Sequence, residues 1–253
     1  MSQSGQAPLA MEPRPVVFAY DFPHKKGQDI ILRLTALGCK PRVVLAAPRV
    51  ALGIPSAAMR VKPRHADLVD PEELCRGLGI DYQVVDHASE TCLLMLDQLD
   101  TEIGVVAGAR ILPSAVIERF RRGIINLHPG LLPQVRGLDA LQWAIMRGQP
   151  LGVTAHLIDK RVDAGWILER REIAEYPDDT LVDLSLRLYE TQLAMLKPAL
   201  ERALHDERHT LEHVVGGEYN RSFPVELAME MLARFESRRQ RLREPGRADR
   251  AAG

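Results

Sequence analysis

The sequence predicts an α/β fold, a Rossmann-like, mostly parallel twisted sheet with helices on both faces. Three observations predict it. Short apolar runs alternate with segments of helical period from Val16 onward. The runs are almost continuously apolar, as strands covered on both faces are. One strand–helix–strand passage also fits within about thirty residues, the size of a parallel βαβ unit. In such sheets ligands bind outside the carboxyl ends of the strands.

Val16–Tyr20 reads as the first strand, followed by a loop from Asp21 to Gly27. Ile30, Ile31, Leu34 and Leu37 recur at helical spacing, so Gln28–Leu37 reads as a helix stopped by Gly38. Arg42–Ala47 is the second strand, and Pro48–Val69 a surface loop rich in Pro, Ala and Arg. Asp70 is a natural N-cap with Pro71 at the first helical position. Tyr82–Val85 is the third strand, Glu90–Leu99 a helix and Ile103–Ala107 the fourth strand. Ser114 is expected to cap a helix to Phe120, and Ile124–His128 is the fifth strand.

Further on, Leu138–Met146 reads as a helix, and Gly152–Leu157 and Trp166–Ile173 as strands around the loop Ile158–Gly165. Thr180 and Asp183 are spaced almost as a capping box for a long helix with a leucine stripe, which Pro198 is expected to kink. His209–Glu218 is expected to hold a short strand and Pro224–Glu236 a last helix, with Arg238–Gly253 disordered. The domain plan is a disordered leader over 1–13, one domain over 14–204, and a short extension with a basic tail over 205–253.

Net charge is −1, from 33 basic and 34 acidic residues, so the body as a whole offers nucleic acid no electrostatic footprint. Cys39, Cys75 and Cys92 have no metal-like spacing, and no apolar run approaches the ~20 residues of a membrane span. With no signal peptide in view, the chain is expected to be reduced and cytoplasmic.

The stretch from Ile124 to Gly137 draws attention because Asn126 and His128 are two apart, so both point to one face of a strand. Taken alone, such a pair caps a turn, and Asp163 before Ala164-Gly165 is a turn residue. The run Asn126-Leu127-His128-Pro129-Gly130-Leu131-Leu132-Pro133 with Arg136-Gly137 nevertheless resembles the N-x-H-P-S-L-L-P-x-x-R-G segment of folate-dependent formyltransferases. Gly152-Val153-Thr154 and the stretch Ile158 to Gly165 resemble that family's later elements. Gly108-Ala109-Arg110-Ile111-Leu112 looks like its folate-contacting loop. The three elements stand in family order over roughly residues 103 to 173. Gly130, where serine is usual, is the one departure inside the segment and is expected to matter little.

The resemblance implies 10-formyltetrahydrofolate as formyl donor and Asn126, His128 and Asp163 as the catalytic trio. It places the donor against Gly108–Leu112, through backbone groups of Arg110 and Leu112, and against Asp159, Lys160 and Arg161. The basic pair at 160–161 stands where the family often has an acidic residue. Physically, an amide from Asn126 suits a tetrahedral oxyanion, an imidazole moves a proton, and a carboxylate tunes that imidazole. None of this requires a metal. His156 reads as a core histidine as readily as a site residue and stays outside the trio.

Glycinamide ribonucleotide transformylases carry a glycine-rich phosphate loop where this chain has Asp21 to Gln28. Lys25, Lys26 and a helix N-terminus there could together hold a phosphate, but a solvated turn is the preferred reading. Methionyl-tRNA formyltransferases add a basic C-terminal barrel, which the residues after the long helix are too few to form. The formyltetrahydrofolate hydrolases begin with a regulatory domain, whereas the first 120 residues here read as α/β. The resemblance thus favours a small-molecule amine, most of all an amino sugar on a nucleotide, with nucleic acid and membrane disfavoured and a homodimer compatible. Arg49, Arg60, Lys62 and Arg64 are candidates to face a diphosphate. A ligand-binding relative without catalysis is the alternative of a different class, and it predicts a damaged trio.

Overall fold

Neighbouring residues of the first strand serve opposite sides of one sheet. In β1 (Val16–Tyr20), Val17 and Ala19 enter one apolar cluster while Val16 and Phe18 enter another. A strand can do this only when helices cover both faces, which is why its pattern is continuous rather than alternating. The structure is a computed structural model that describes residues 13–50, 59–99, 101–214 and 216–243.

With strands numbered along the chain, β1, β2 (Val43–Ala47), β3 (Asp81–Val84), β4 (Ile103–Val106) and β5 (Gly123–His128) run parallel in the order β3-β2-β1-β4-β5. β7 (Gly152–Ile158), β8 (Gly165–Glu172) and β9 (His213–Val214) continue the sheet beyond β5 as antiparallel neighbours. β6 (Arg136–Gly137) and β10 (Tyr219–Asn220) form a separate parallel pair. The mostly parallel sheet with helices is therefore as expected, and the order reverses at β1 and β4. The edge strand β3 is largely exposed and carries Asp81 and Gln83, which suits an edge that must not pair further.

One face is covered by α1 (Lys25–Ala36), α2 (Pro71–Leu78) and α6 (Leu181–His205), whose buried residues Ile30, Ile31, Cys75, Leu184, Leu188 and Leu196 join Val17, Val44 and Leu127. The other is covered by α3 (Glu90–Gln98) and α4 (Ser114–Ile117), where Cys92, Leu96 and Val116 meet Phe18, Leu45 and Ile124. Phe18 is fully buried and meets His87 and Phe120 edge-on at 5.2 and 5.7 Å. Truncating such a ring to alanine typically costs about 3–5 kcal/mol.

Several boundaries differ from expectation for local reasons. α1 begins at Lys25, not Gln28, because the His24 ring nitrogen accepts from the Gly27 N–H and caps it. Ser114 is the first residue of a one-turn α4 rather than its cap, since Pro113 holds the cap position without a side-chain bond. α5 (Ala140–Met146) starts after Asp139, which is left-handed (φ 50°), so Leu138 lies outside it. The Thr180–Asp183 capping box forms, and α6 runs on through Pro198 to His205. α7 (Ala228–Arg243) extends well past Glu236. That corrects the expectation of a disordered segment from Arg238. Arg238 is bound to Glu175 and the Gln149 carbonyl, and Arg239 to the Pro177 carbonyl and Glu236. The leader over 1–12 and the tail beyond Arg243 lie outside the described residues. Among the described residues no helix is long and apolar enough to cross a membrane.

Candidate active site

Antiparallel pairing of β5 with β7 decides which side chains meet. Asn126 lies opposite His156 and His128 opposite Thr154. Thr154 is buried and works as a clamp: its hydroxyl donates to the Gly130 carbonyl at 2.7 Å and accepts from the Leu132 N–H at 3.0 Å. The turn after His128 is thereby fixed over β7.

His156 is fully buried, and its Nδ1 faces the Ala164 carbonyl at 3.1 Å. A carbonyl only accepts, so Nδ1 carries the proton and Nε2 is left to accept from the Asn126 amide at 3.2 Å. Burial pushes this imidazole down to about 4, so it is neutral at pH 7 and suited to that role. One N–H of Asn126 is thus held in place and the second is left for an incoming oxygen. This role for His156 is not separable from a core one in the sequence, because the β5–β7 register is not a local property. A register irregularity in the β7–β8 ladder falls between Ala155 and His156, and such irregularities recur beside active sites.

His128 is buried with Nδ1 3.4 Å from an Asp163 carboxylate oxygen and Nε2 2.8 Å from the Val135 carbonyl. Gly130, expected to matter little, makes the second contact possible: a Cβ there would meet the Val135 carbonyl at 2.8 Å and His128 Nε2 at 2.9 Å. The departure from serine therefore touches the site directly.

Asp163 sits in the left-handed region at φ 46°, a conformation that costs a non-glycine residue on the order of 1 kcal/mol or more. Its second oxygen accepts from the Gly137 N–H at 2.9 Å. Burial alone raises its pKa, but the His128 charge and contact, His156 and the Gly137 N–H outweigh that and hold the carboxyl at about 2. Arg136 secures the same wall, donating to the Val162 carbonyl at 2.7 Å and to the Gly216 and Gly217 carbonyls at 3.0 and 2.8 Å. The structure thus brings Asn126, His128 and Asp163 together.

The two predicted donor loops adjoin one apolar cluster. Ala109, Leu112 and Ile158 join the cluster that holds Ile124. Gly108 (φ 102°) abuts the His24 ring, which a Cβ would meet at 2.8 Å. The Arg110 guanidinium donates to the Pro48 carbonyl, while Ile111 is 70% exposed and Leu112 buried. On the other side, Asp159 is bound to Arg161 and to His213, which lowers its pKa, and Lys160 is exposed. The Arg60 guanidinium donates to the Lys62 backbone carbonyl at 3.4 Å, and much of the remaining 48–69 loop (residues 51–58) lies outside the described residues.

Lys26 overturns its reading as part of a solvated turn. It lies in the first turn of α1, is half-buried, and donates to the Leu127 carbonyl at 2.9 Å, between Asn126 and His128. Lys25 turns the other way, to Asp29 at 2.7 Å. No sequence signal separates the two lysines except the helical phase, which depends on where α1 begins.

The sequence profile described as Formyl transferase matches residues 44–200. A protein named methionyl-tRNA formyltransferase from Chlorobium chlorochromatii is 42% identical over 166 residues, which is 64% of this chain and 46% of that one. One of the same name from Deinococcus radiodurans is 39% identical over 147 residues, 58% of this chain and 43% of its own. The chain spans about half the length of the curated relatives it matches. Among solved structures, a sugar N-formyltransferase from Shewanella superposes with a TM-score of 0.57 at 23% identity, covering 82% of this chain and 76% of that one. Phosphoribosylglycinamide formyltransferase from Anaplasma phagocytophilum gives 0.59 at 18% identity, covering 83% and 100%. These two share the fold. With the profile spanning the sheet from β2 to α6 and every residue of the Asn126–His128–Asp163 cluster, the chain belongs to the formyl transferase family.

Proposed function

We propose that the chain transfers a formyl group from 10-formyltetrahydrofolate to a primary amine of a small molecule, an amino group on a nucleotide-linked sugar. The observation that carries the reading is the Asn126 amide held by a neutral His156 beside the His128–Asp163 pair. Asn126 directs its second N–H at the formyl oxygen as it becomes an oxyanion, where one such donor is worth roughly 3 kcal/mol. His128, backed by the ionised Asp163, moves a proton from the attacking amine to the leaving N10 by exchanging its Val135 contact for the substrate. The donor lies between Gly108–Leu112 and Asp159–Arg161.

A small acceptor is supported by the internal pairing of the C-terminal arginines. Arg234, Arg238 and Arg239 face Glu230, Glu175 and Glu236, which leaves less free positive charge for a phosphate backbone. A second reading, methionyl-tRNA as acceptor, is favoured by the name of the relatives at 42% and 39% identity. We place the activity in the cytoplasm, where buried cysteines such as Cys75 and Cys92 stay reduced.

The test is a donor-saturated panel of nucleotide-linked amino sugars, glycinamide ribonucleotide, free amino acids and methionyl-tRNA. The expected result is the highest kcat/KM with an amino sugar, and a loss of about 10²–10³ in kcat for Asn126→Ala. A preference for the tRNA selects the second reading, and an Asn126→Ala enzyme as fast as its parent sinks the mechanism.

A further inference from the structure

We propose that Lys26 is a further catalytic residue of this site, the group that takes the first proton from the incoming ammonium, a role that rests on the formyl-transfer reading above. Proton bookkeeping sets the need. An alkylamine is protonated at neutral pH. It loses one proton before it can attack and a second once the new C–N bond to the formyl carbon has formed. When the bond to N10 breaks, N10 takes back one proton, and no electrons are gained or lost. One proton per turnover is therefore left over, and the His128–Asp163 pair supplies a single relay.

The other titratable groups around Asn126 are already committed. Both ring nitrogens of His156 are engaged, one by the Ala164 carbonyl and one by Asn126. Asp163 is held ionised and already faces His128 and the Gly137 N–H. Lys26 is different. Among the described residues its one hydrogen bond is to the Leu127 carbonyl, past Ile125, the last residue that β5 pairs with β4. That leaves the rest of the amino group turned to the carboxyl edge, at the place where the strand order reverses between β1 and β4 and where such sheets bind their ligands.

The charged and titratable groups that face it come from each surrounding element: Asp163 beyond β7, His156 on β7, Lys62 from the segment before α2, and His24 at the start of its own helix. Burial and Lys62 lower its amine to about 8 against the opposing pull of Asp163, so a neutral fraction exists near physiological pH. In the step, the neutral Nζ takes the ammonium proton and the freed amine attacks the formyl carbon. The second proton then passes through His128 to N10 as the C–N10 bond breaks, and Lys26 returns its proton to water.

Two measurements on the full chain test this. In ¹⁵N-resolved NMR of the lysine amino groups, Lys26 is expected to lose its proton near pH 8; a midpoint at the ordinary lysine value overturns the role. In turnover at pH 7, Lys26→Met and Lys26→Arg are both expected to lose about 100-fold with the best alkylamine of the acceptor panel. With the weakly basic aminooxy analogue, which arrives neutral, they are expected to lose less than about 3-fold, since the first deprotonation is then not required. An arginine variant that keeps the parent rate, or equal losses with both acceptors, also overturns it. An ordinary Lys26 titration in an active enzyme removes this role alone, whereas a native chain that formylates no amine removes the proposed reaction and this role with it.

Discussion

The two halves of the sheet are held together by different means. In the parallel half, β1 and β2 are buried almost throughout and meet helices through apolar side chains on both faces. In the antiparallel half the decisive ties are side chain to backbone: Thr154 to Gly130 and Leu132, Arg136 to Val162, Gly216 and Gly217, Arg170 to Leu132, and Asn220 to Arg136. Apolar burial is non-directional, so it fixes layers but tolerates small shifts. Hydrogen bonds are directional, and the charge-assisted ones from Arg136 and Arg170 are the strongest of them, so they fix single atoms, which is what a reacting site demands.

The sharpest break of this contrast is Asp163→Asn, expected to slow formyl transfer roughly a thousandfold while leaving the parallel half intact. Its effect on stability has a definite sign. A carboxyl held at about 2 when folded, against about 3.9 unfolded, contributes on the order of 2 kcal/mol above pH 4 and loses it as pH falls toward 2. Melts of parent and variant should therefore differ at pH 7 and converge in acid; a constant gap refutes the assignment. Arg136→Met comes next, with a loss of about 3 kcal/mol from its buried, charge-assisted bonds and a larger fall in activity than its stability explains. Leu45→Met in the parallel core should cost under about 1.5 kcal/mol and leave kcat unchanged. If the two variants lose activity alike, the contrast is wrong.

His156→Gln probes the same region through pH. The imidazole sits at about 4 when folded and about 6.5 unfolded, so its contribution is present above pH 6.5 and lost as pH falls toward 4. The glutamine variant should show a flatter stability profile over that window by thermal melting, with a smaller loss of rate at pH 7 than Asp163→Asn. The smallest expected effect is Thr180→Ala, about 1 kcal/mol from the cap of α6 with no change in turnover.

This contrast also separates what was legible in the sequence from what was not. β1, β2, the Asp70–Pro71 start of α2 and the Thr180–Asp183 box were readable because period and capping are local. Asn126 and His128 stood out by their spacing, and Asp163 by the family's later element. His156 and Lys26 did not. One meets Asn126 only through the β5–β7 register, and the other reaches Leu127 only because His24, an uncommon capping residue, starts α1 early enough to set its phase. The reach of α7 was missed because Arg238 is fixed by Glu175, a residue far away in sequence.

The pairing of β6 with β10 has a consequence for synthesis. Gly137, whose N–H holds Asp163, runs so close to the Asn220 backbone that a Cβ would collide with it, and Asn220 donates in turn to the Arg136 carbonyl at 2.7 Å. The family profile ends at residue 200, before any of this support has been made. Chains fold from the N-terminus as they emerge. A nascent chain that has released α6 can therefore cover both faces of the sheet while the wall at Gly137 still lacks its support, and that wall is completed only when the segment around Asn220 arrives.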